Sequence, residues 1–273
     1  MPRLLKFSDG LKMSNNNIQN QKETSQITSQ LKTRISTNKK FGSVDLDEWL
    51  FEKLNIKKGY NVLDVGCGTG NHIIKIAKLF PEGNYYGIDI SNNSIRQAIE
   101  KSTQKNLKIK FICKDVTNAS ALQDSLFDLI ISIYALYYVK NAQKTLAVLK
   151  TKLKNNGKIA VMSPYKGNNN KWYSFLSSFM KIPQEIESVA NNFMDNEVLP
   201  FAKENFTNIQ TFHFESKVTI PSFEDLKNYW ASNIYHKPEL DREFEKHATE
   251  FFKKNEKFII TKRALLVIMC KNS

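Results

Sequence analysis

Three glycines and three aspartates in the first half of the chain have the types and spacing to hold a nucleoside cofactor. Gly66, Gly68 and Gly70 follow the apolar run Val62–Val65, which carries Asp64 inside it. Glycine tolerates positive φ and lets a ligand approach backbone without meeting a Cβ atom. The amides of such a loop, with the start of a helix from Asn71, can donate to an anionic group. Asp89 ends the run Tyr86–Ile90, where a carboxylate can accept from both ribose hydroxyls. Asp115, in Cys113–Val116, stands where it could accept from an adenine amino group. Buried acids without partners are costly, so acids at three successive strand ends point to a ligand. The dinucleotide fingerprint spaces its glycines G-x-G-x-x-G. Here the spacing is Gly66-x-Gly68-x-Gly70 with an acid ahead of the first glycine, which argues against a nicotinamide cofactor.

These residues need a scaffold that places strand ends side by side. Short apolar runs bounded by turn residues predict strands at 61–65, 84–88, 108–113, 128–133 and 158–162, with helical patterns between them. That alternation implies an α/β, doubly wound, Rossmann-like sheet covered on both faces, with ligands at the carboxyl ends where the strand order reverses. After Pro164 the rhythm changes. A strand is expected over Asn208–Ile220, helices over Ser222–Tyr235 and Pro238–Lys257, and a closing strand around Ala264–Cys270. The expected division is a flexible arm over 1–40, a cofactor core over 41–164, an insertion and helix over 165–206, and closing strands with a helical lid over 207–273. Residues 11–38, rich in Asn, Gln, Ser and Thr, read as a mobile arm or a loosely held helix, with order beginning near Phe41. The aromatic sets Trp172–Phe179 and Phe223–Tyr235 either cap the strand ends around a dry pocket or form ordinary core.

On the glycine loop and its three acids, the chain resembles the class I S-adenosylmethionine-dependent methyltransferases of the type 11-like group that modifies small molecules. The resemblance covers roughly residues 41–163. It implies seven mostly parallel strands with the last antiparallel, S-adenosyl-L-methionine as cofactor and S-adenosyl-L-homocysteine as product. It further implies that Asp64, Gly66, Cys67, Gly68 and Gly70 surround the methionine part and that Asp89 holds the ribose. Ile90 then lies beside adenine, Asp115 and Val116 at its edge, and Ser132 and Tyr134 at the fourth strand's end. The nucleobase methyltransferase pattern of Asn or Asp, two prolines and an aromatic is missing after Ser132. Many small-molecule relatives place a His near this point, where Tyr137 and Tyr138 stand.

Methyl transfer is an in-line displacement, so much of its catalysis is positioning, with a base most useful for a hydroxyl acceptor. The candidates for catalytic roles are His236, ahead of the last strand where lids form, His72 beside the glycine loop, and Tyr137 with Tyr138. His213 and His247 read as structural and solvated. No His/carboxylate spacing suggests a metal.

Composition sets the outer limits. The formal charge is +13, with excesses of +6 over residues 1–40, +6 over 41–163 and +1 over 164–273. No dense Lys/Arg block appears, so a small-molecule acceptor is favoured over nucleic acid. The 3 cysteines are too few and too scattered for a disulfide framework. No apolar run approaches the ~20 residues that cross a bilayer, and the opening breaks at Asp9-Gly10 before a secretory stretch. A cytoplasmic monomer or homodimer is expected. Two other readings are an RNA or protein methyltransferase, on the charge and the basic arm, and a non-catalytic cofactor-binding partner subunit.

Overall fold

The computed structural model describes residues 30–117, 122, 124, 126–182, 188–233 and 235–271; residues 1–29 of the expected arm lie outside this set. Seven strands form one sheet in the order β3-β2-β1-β4-β5-β7-β6. They are β1 (Asn61–Val65), β2 (Asn84–Asp89), β3 (Ile109–Cys113), β4 (Phe127–Ile133), β5 (Leu153–Pro164), β6 (Asn208–Ile220) and β7 (Phe258–Cys270). Only β7 runs against its neighbours, pairing antiparallel with both β5 and β6. The order reverses between β1 and β4, the position where open α/β sheets bind ligands.

Continuous apolar runs in β1 and β4 demand cover on both faces. On one face, α2 (Leu46–Leu54) and α3 (Asn71–Leu79) bury Leu50, Leu54, Ile73 and Ile76 against Val62, Leu129 and Ile131. α4 (Asn92–Thr103) lies beside β2 and β3. On the other face, α5 (Ala142–Lys152), the π-wound α7 (Val189–Val198) and α8 (Leu199–Asn205) bury Leu146, Met194 and Phe201 against Leu63, Ile130 and Ile159. Helix starts are set locally. Asp45, Ser91 and Asn141 each accept a backbone N–H of the helix they precede.

β5 is longer than its apolar stretch. It begins at Leu153, paired with Phe127 ahead of a register shift, and Asn156, between there and the expected start at 158, takes the left-handed region, φ 61°.

The last two strands reach past the rest of the sheet. β6 and β7 pair over their whole length, from Asn208↔Cys270 to Ile220↔Phe258, but β5 ends where Pro164 pairs with Ala264. The hairpin therefore stands roughly 20 Å beyond β5. The face of this extension that carries Val218, Ile220, Phe258 and Ile260 is covered by α6 (Asn170–Leu176), α9 (Phe223–Ala231) and α10 (Asp241–Lys254), which with Trp172, Trp230 and Phe244 make a third core. Trp230 stacks on Phe244 with centroids 5.3 Å apart, and Trp172 meets Tyr229 edge-on at 5.1 Å. Most of the aromatic sets thus form the interior of a cap, while Tyr173 also lines a cleft with Gly167 and Ala190. The expected 165–206 insertion divides, since α6 joins the cap while α7 and α8 cover the sheet. A helix over residues 30–41, α1, also precedes the expected onset of order. It is tied to the cap by Gln30 Nε2 donating to Ala231 O (3.4 Å), by Phe41 packing, and by the Gly42↔Val218 bridge just after it. No helix among the described residues is long and apolar enough to cross a membrane.

Because the cap has its own core, Phe244→Ala is expected to cost it about 3–5 kcal/mol. Amide exchange should then accelerate in α9, α10 and the outer halves of β6 and β7, with β1 and β4 unchanged. Uniform acceleration would show instead that cap and sheet open as one unit.

Candidate active site

The loop after β1 is shaped by what it must avoid. Gly66 adopts φ +70°, and a Cβ there would stand 2.3 Å from that of Ala135, so loop and β4 end are in direct backbone approach. At Gly68, φ is +52° and a Cβ would meet nothing within 4 Å, which leaves the loop's outer side open to a ligand. The amides of Gly66 and Cys67 both donate to Ile88 O (2.8 and 3.1 Å), pinning the loop to β2. Lys101 of α4 braces it from outside, donating to Thr69 Oγ1 (2.7 Å) and Asn71 Oδ1 (2.9 Å). No sequence signal singled out Lys101, a helical lysine like many others.

The alternation of β1 turns Asp64 toward α3, where Ile73 offers its N–H. Asp64 is 1% exposed, and its Oδ2 has no partner. Burial raises its pKa to about 6, with His72 opposing the shift. Asp89 is held differently. Gly68 N–H donates to its Oδ2 and Ser91 N–H to its Oδ1, both at 2.8 Å, which orients the carboxylate and leaves lone pairs over. Ile90, 47% exposed, offers an apolar surface beside it. Asp115 lies at the end of β3, accepting from Thr117 N–H at 2.8 Å. Val116 packs at the margin of the sheet core. Cys67 is buried, its thiol pushed up by that burial and then by Asp64 and Asp89. An orphaned carboxylate oxygen, an open glycine and an oriented second carboxylate fit the ammonium, backbone and ribose of S-adenosylmethionine.

Tyrosines gather beyond the end of β4. Tyr134 ends β4 in the left-handed region, φ 55°, an uncommon state for a large residue and one often kept at functional sites. Tyr137 stacks obliquely on Tyr138 at 4.4 Å and meets Phe193 at 5.9 Å. Burial first, then Tyr138, raises the Tyr137 phenol well above its ordinary value. Burial raises Tyr134 as well. Tyr235 reaches this group from the cap, near enough to Tyr173, Tyr138 and Arg34 for each to affect its ionisation.

Some expected site residues are used elsewhere. The Ser132 hydroxyl, expected at the cofactor, donates to Val65 O (3.1 Å) and stitches β4 to β1. His72 is anchored through Nδ1 to Asp47 Oδ1 (2.9 Å), and burial lowers its pKa despite Asp64 nearby. It braces α3 against α2, a different duty from that of a base. His236 places Nε2 at 2.9 Å from Asp241 Oδ1 and its ring edge-on to Trp230. Among the described residues, no hydrogen bond, ion pair or ring contact joins His236 to the glycine loop or to Tyr134. His213, expected to be structural, is exposed on β6 with its ring 5.5 Å from that of Tyr165. His247, expected to be solvated, is half-buried against Phe179. No group of three or more His, Cys, Asp or Glu among the described residues could hold a metal.

The fold and these acids define a nucleoside-cofactor site on a Rossmann-like sheet. Comparison with known proteins names the family. Residues 56–217 match the methyltransferase domain family, and the chain belongs to it, within the class I S-adenosylmethionine-dependent enzymes. The chain is 27% identical over 186 residues to malonyl-[acyl-carrier protein] O-methyltransferase 1 of Ilyobacter polytropus, covering 64% of this chain and 67% of that one. It is 48% identical over 54 residues to a tRNA (guanine-N(7)-)-methyltransferase of Rubrobacter xylanophilus, 19% of this chain and 24% of that one. The crystal structure of YcgJ from Bacillus subtilis superposes with a TM-score of 0.58 at 14% identity, over 83% of this chain and 98% of that one. The chain spans about a quarter to about half the length of the curated relatives it matches first.

Asp64 has a pKa near 6 in the folded chain and a lower one unfolded, so its burial costs stability as pH rises from about 4 to 6 and fully above that. Asp64→Asn is therefore expected to stabilise the ligand-free protein at pH 8 by up to about 3 kcal/mol, the gain shrinking toward pH 4. Urea unfolding at the two pH values checks it. An unchanged or lowered midpoint at pH 8 would show that Asp64 is well paired.

Proposed function

We propose that this chain is a methyltransferase that moves the methyl group of S-adenosylmethionine to an O or N atom of a small molecule, such as a sugar-linked or secondary-metabolite precursor. The observation that carries it is Asp64, a carboxylate buried at the β1 end with one oxygen unpartnered. Such a group is costly unless a cation meets it, and the ammonium of the cofactor's methionine part is that cation. Asp89 would accept from the ribose hydroxyls, Asp115 from the adenine amino group, with Ile90 and Val116 beside the ring. Bound there, the cofactor supplies an electrophilic methyl group on a sulfonium.

The residues around the acceptor do the positioning. With their phenols held above the ordinary range, Tyr134 and Tyr137 stay protonated at neutral pH. They donate hydrogen bonds and do not remove protons. The site therefore suits an acceptor that is nucleophilic already, a carboxylate oxygen or a neutral amine, over an alcohol needing a base. The cap and α1 stand over the carboxyl edge and supply the walls that exclude water.

Calorimetry should show S-adenosylmethionine binding to the wild type, weakened about 10–100-fold by Asp89→Ala. Undiminished binding by that variant would refute the assignment of the ribose acid. For the acceptor, kcat with a carboxylate substrate should stay level between pH 7 and 9, and Tyr137→Phe should mainly raise KM. A steep rise of kcat with pH, lost in Tyr137→Phe, would make the phenol a base and overturn this account.

A further inference from the structure

Two cations under the cap have no counter-ion among the described residues. Arg34, on the inner side of α1, has its Nε shielded from solvent and unpartnered. Lys262, half-buried on β7, donates among the described residues to neutral oxygens, Asn169 Oδ1 (2.8 Å) and Tyr229 OH (2.7 Å). Arg34 is near enough to Lys262 to act on its charge, and it acts likewise on Tyr229 and Tyr235. Among the described residues no carboxylate makes an ion pair with either, whereas Lys166, Lys227 and Arg263 all have acidic partners. Burial and the neighbouring guanidinium push Lys262 down to about 7, as expected of two like charges sharing a poorly solvated site.

The place of this pair follows from strand register. Ala264 pairs with Pro164 at the end of β5, so Lys262 stands two residues further out, roughly 7 Å above that edge. It shares the strand face of Ala264 and Leu266, which pack in the core with Tyr134. Two strand spacings, about 10 Å, separate β7 from β4, where methyl transfer would occur. Tyr235 is near enough to both Arg34 and Tyr138 for each to act on its ionisation. A separation on the order of 10 Å is the length of a small metabolite.

We infer that Arg34 and Lys262 form an anion subsite beneath the cap, which anchors a phosphate or carboxylate group of the acceptor while its other end meets the cofactor at β4. The subsite deepens the small-molecule reading and rests on it. Arg34 supplies a planar donor set, Lys262 a point charge, and Tyr229 and Asn169 hold the lysine in position. Because α1 carries one cation and β7 the other, an acidic acceptor would also fasten α1 onto the cap.

The test titrates the full-length protein, loaded with S-adenosylhomocysteine, with inorganic phosphate in one arm and malonate in the other. Both are run against chloride at equal ionic strength and followed by calorimetry. At least one of the two anions should bind, and Arg34→Gln and Lys262→Met should each weaken it tenfold or more. Lys262→Arg should retain it. Phosphate alone binding would make the acceptor a phosphate ester, and malonate alone a carboxylic acid. If the wild type binds neither beyond chloride, or if folded glutamine and methionine variants bind as the wild type does, the subsite is refuted. Binding of S-adenosylhomocysteine is measured separately and should change less than twofold in the variants. Its absence in the wild type would defeat the methyltransferase reading, while the anion titration of the ligand-free protein would still decide the subsite.

Discussion

The upper half of the molecule depends on the ladder between β6 and β7. Their pairing runs from Asn208↔Cys270 to Ile220↔Phe258, but β5 supports only the part up to Ala264. Beyond that point the hairpin has no sheet beside it, and an isolated two-stranded ribbon is marginal in water. Its outer residues Val218, Ile220, Phe258 and Ile260 must find cover, and α6, α9, α10 and Phe41 provide it. The overhang therefore brings with it a second compact body at the carboxyl edge. Under the proposed function it is also what makes an acceptor chamber there, since the strand ends face something solid instead of solvent.

Within that chamber the electrostatic features share one origin, which is loss of water. Asp64, Tyr134, Tyr137 and Lys262 are all shifted toward their neutral forms, with burial the largest cause each time. Asp89 is the exception in design. Two backbone amides hold it in place, so its orientation exists before any ligand arrives. The site thus combines a carboxylate prepared by geometry with one left in need of a cation, a division of labour between orientation and affinity.

Much of this was legible in the chain itself, because it is local. Apolar runs of 5–7 residues located β1 to β4 within a residue or two, and the spacing Asp64, Gly66, Gly68, Gly70 indicated both the loop and its ligand. What was not legible depends on where a side chain goes once the chain has folded. Nothing in its neighbours reveals that Ser132 donates across to Val65, or that His236 is occupied by Asp241 and Trp230. Arg34 falls in the segment expected to be a polar arm, and Lys262 ahead of the strand expected around Ala264–Cys270, so neither was singled out. Their meeting is set by the Gly42↔Val218 bridge and by the β6–β7 register, contacts between residues more than 170 apart in the first case. The aromatic sets were ambiguous for the same reason, since composition cannot tell the lining of a pocket from the inside of a cap.

The close approach of Gly66 to Ala135 carries a consequence for how this site can drift in evolution. A methyl group at position 66 would occupy the space of the methyl at 135, and the backbone at 66 is in a conformation that favours glycine. Loop and β4 end are consequently locked as one unit of inheritance. A descendant can change what Tyr134, Tyr137 or Tyr138 present to an acceptor, yet it cannot enlarge residue 135 without displacing the cofactor loop. New specificity in this lineage is thereby steered to the tyrosines and the cap, while the donor side is kept constant by a steric contact that involves no catalytic group.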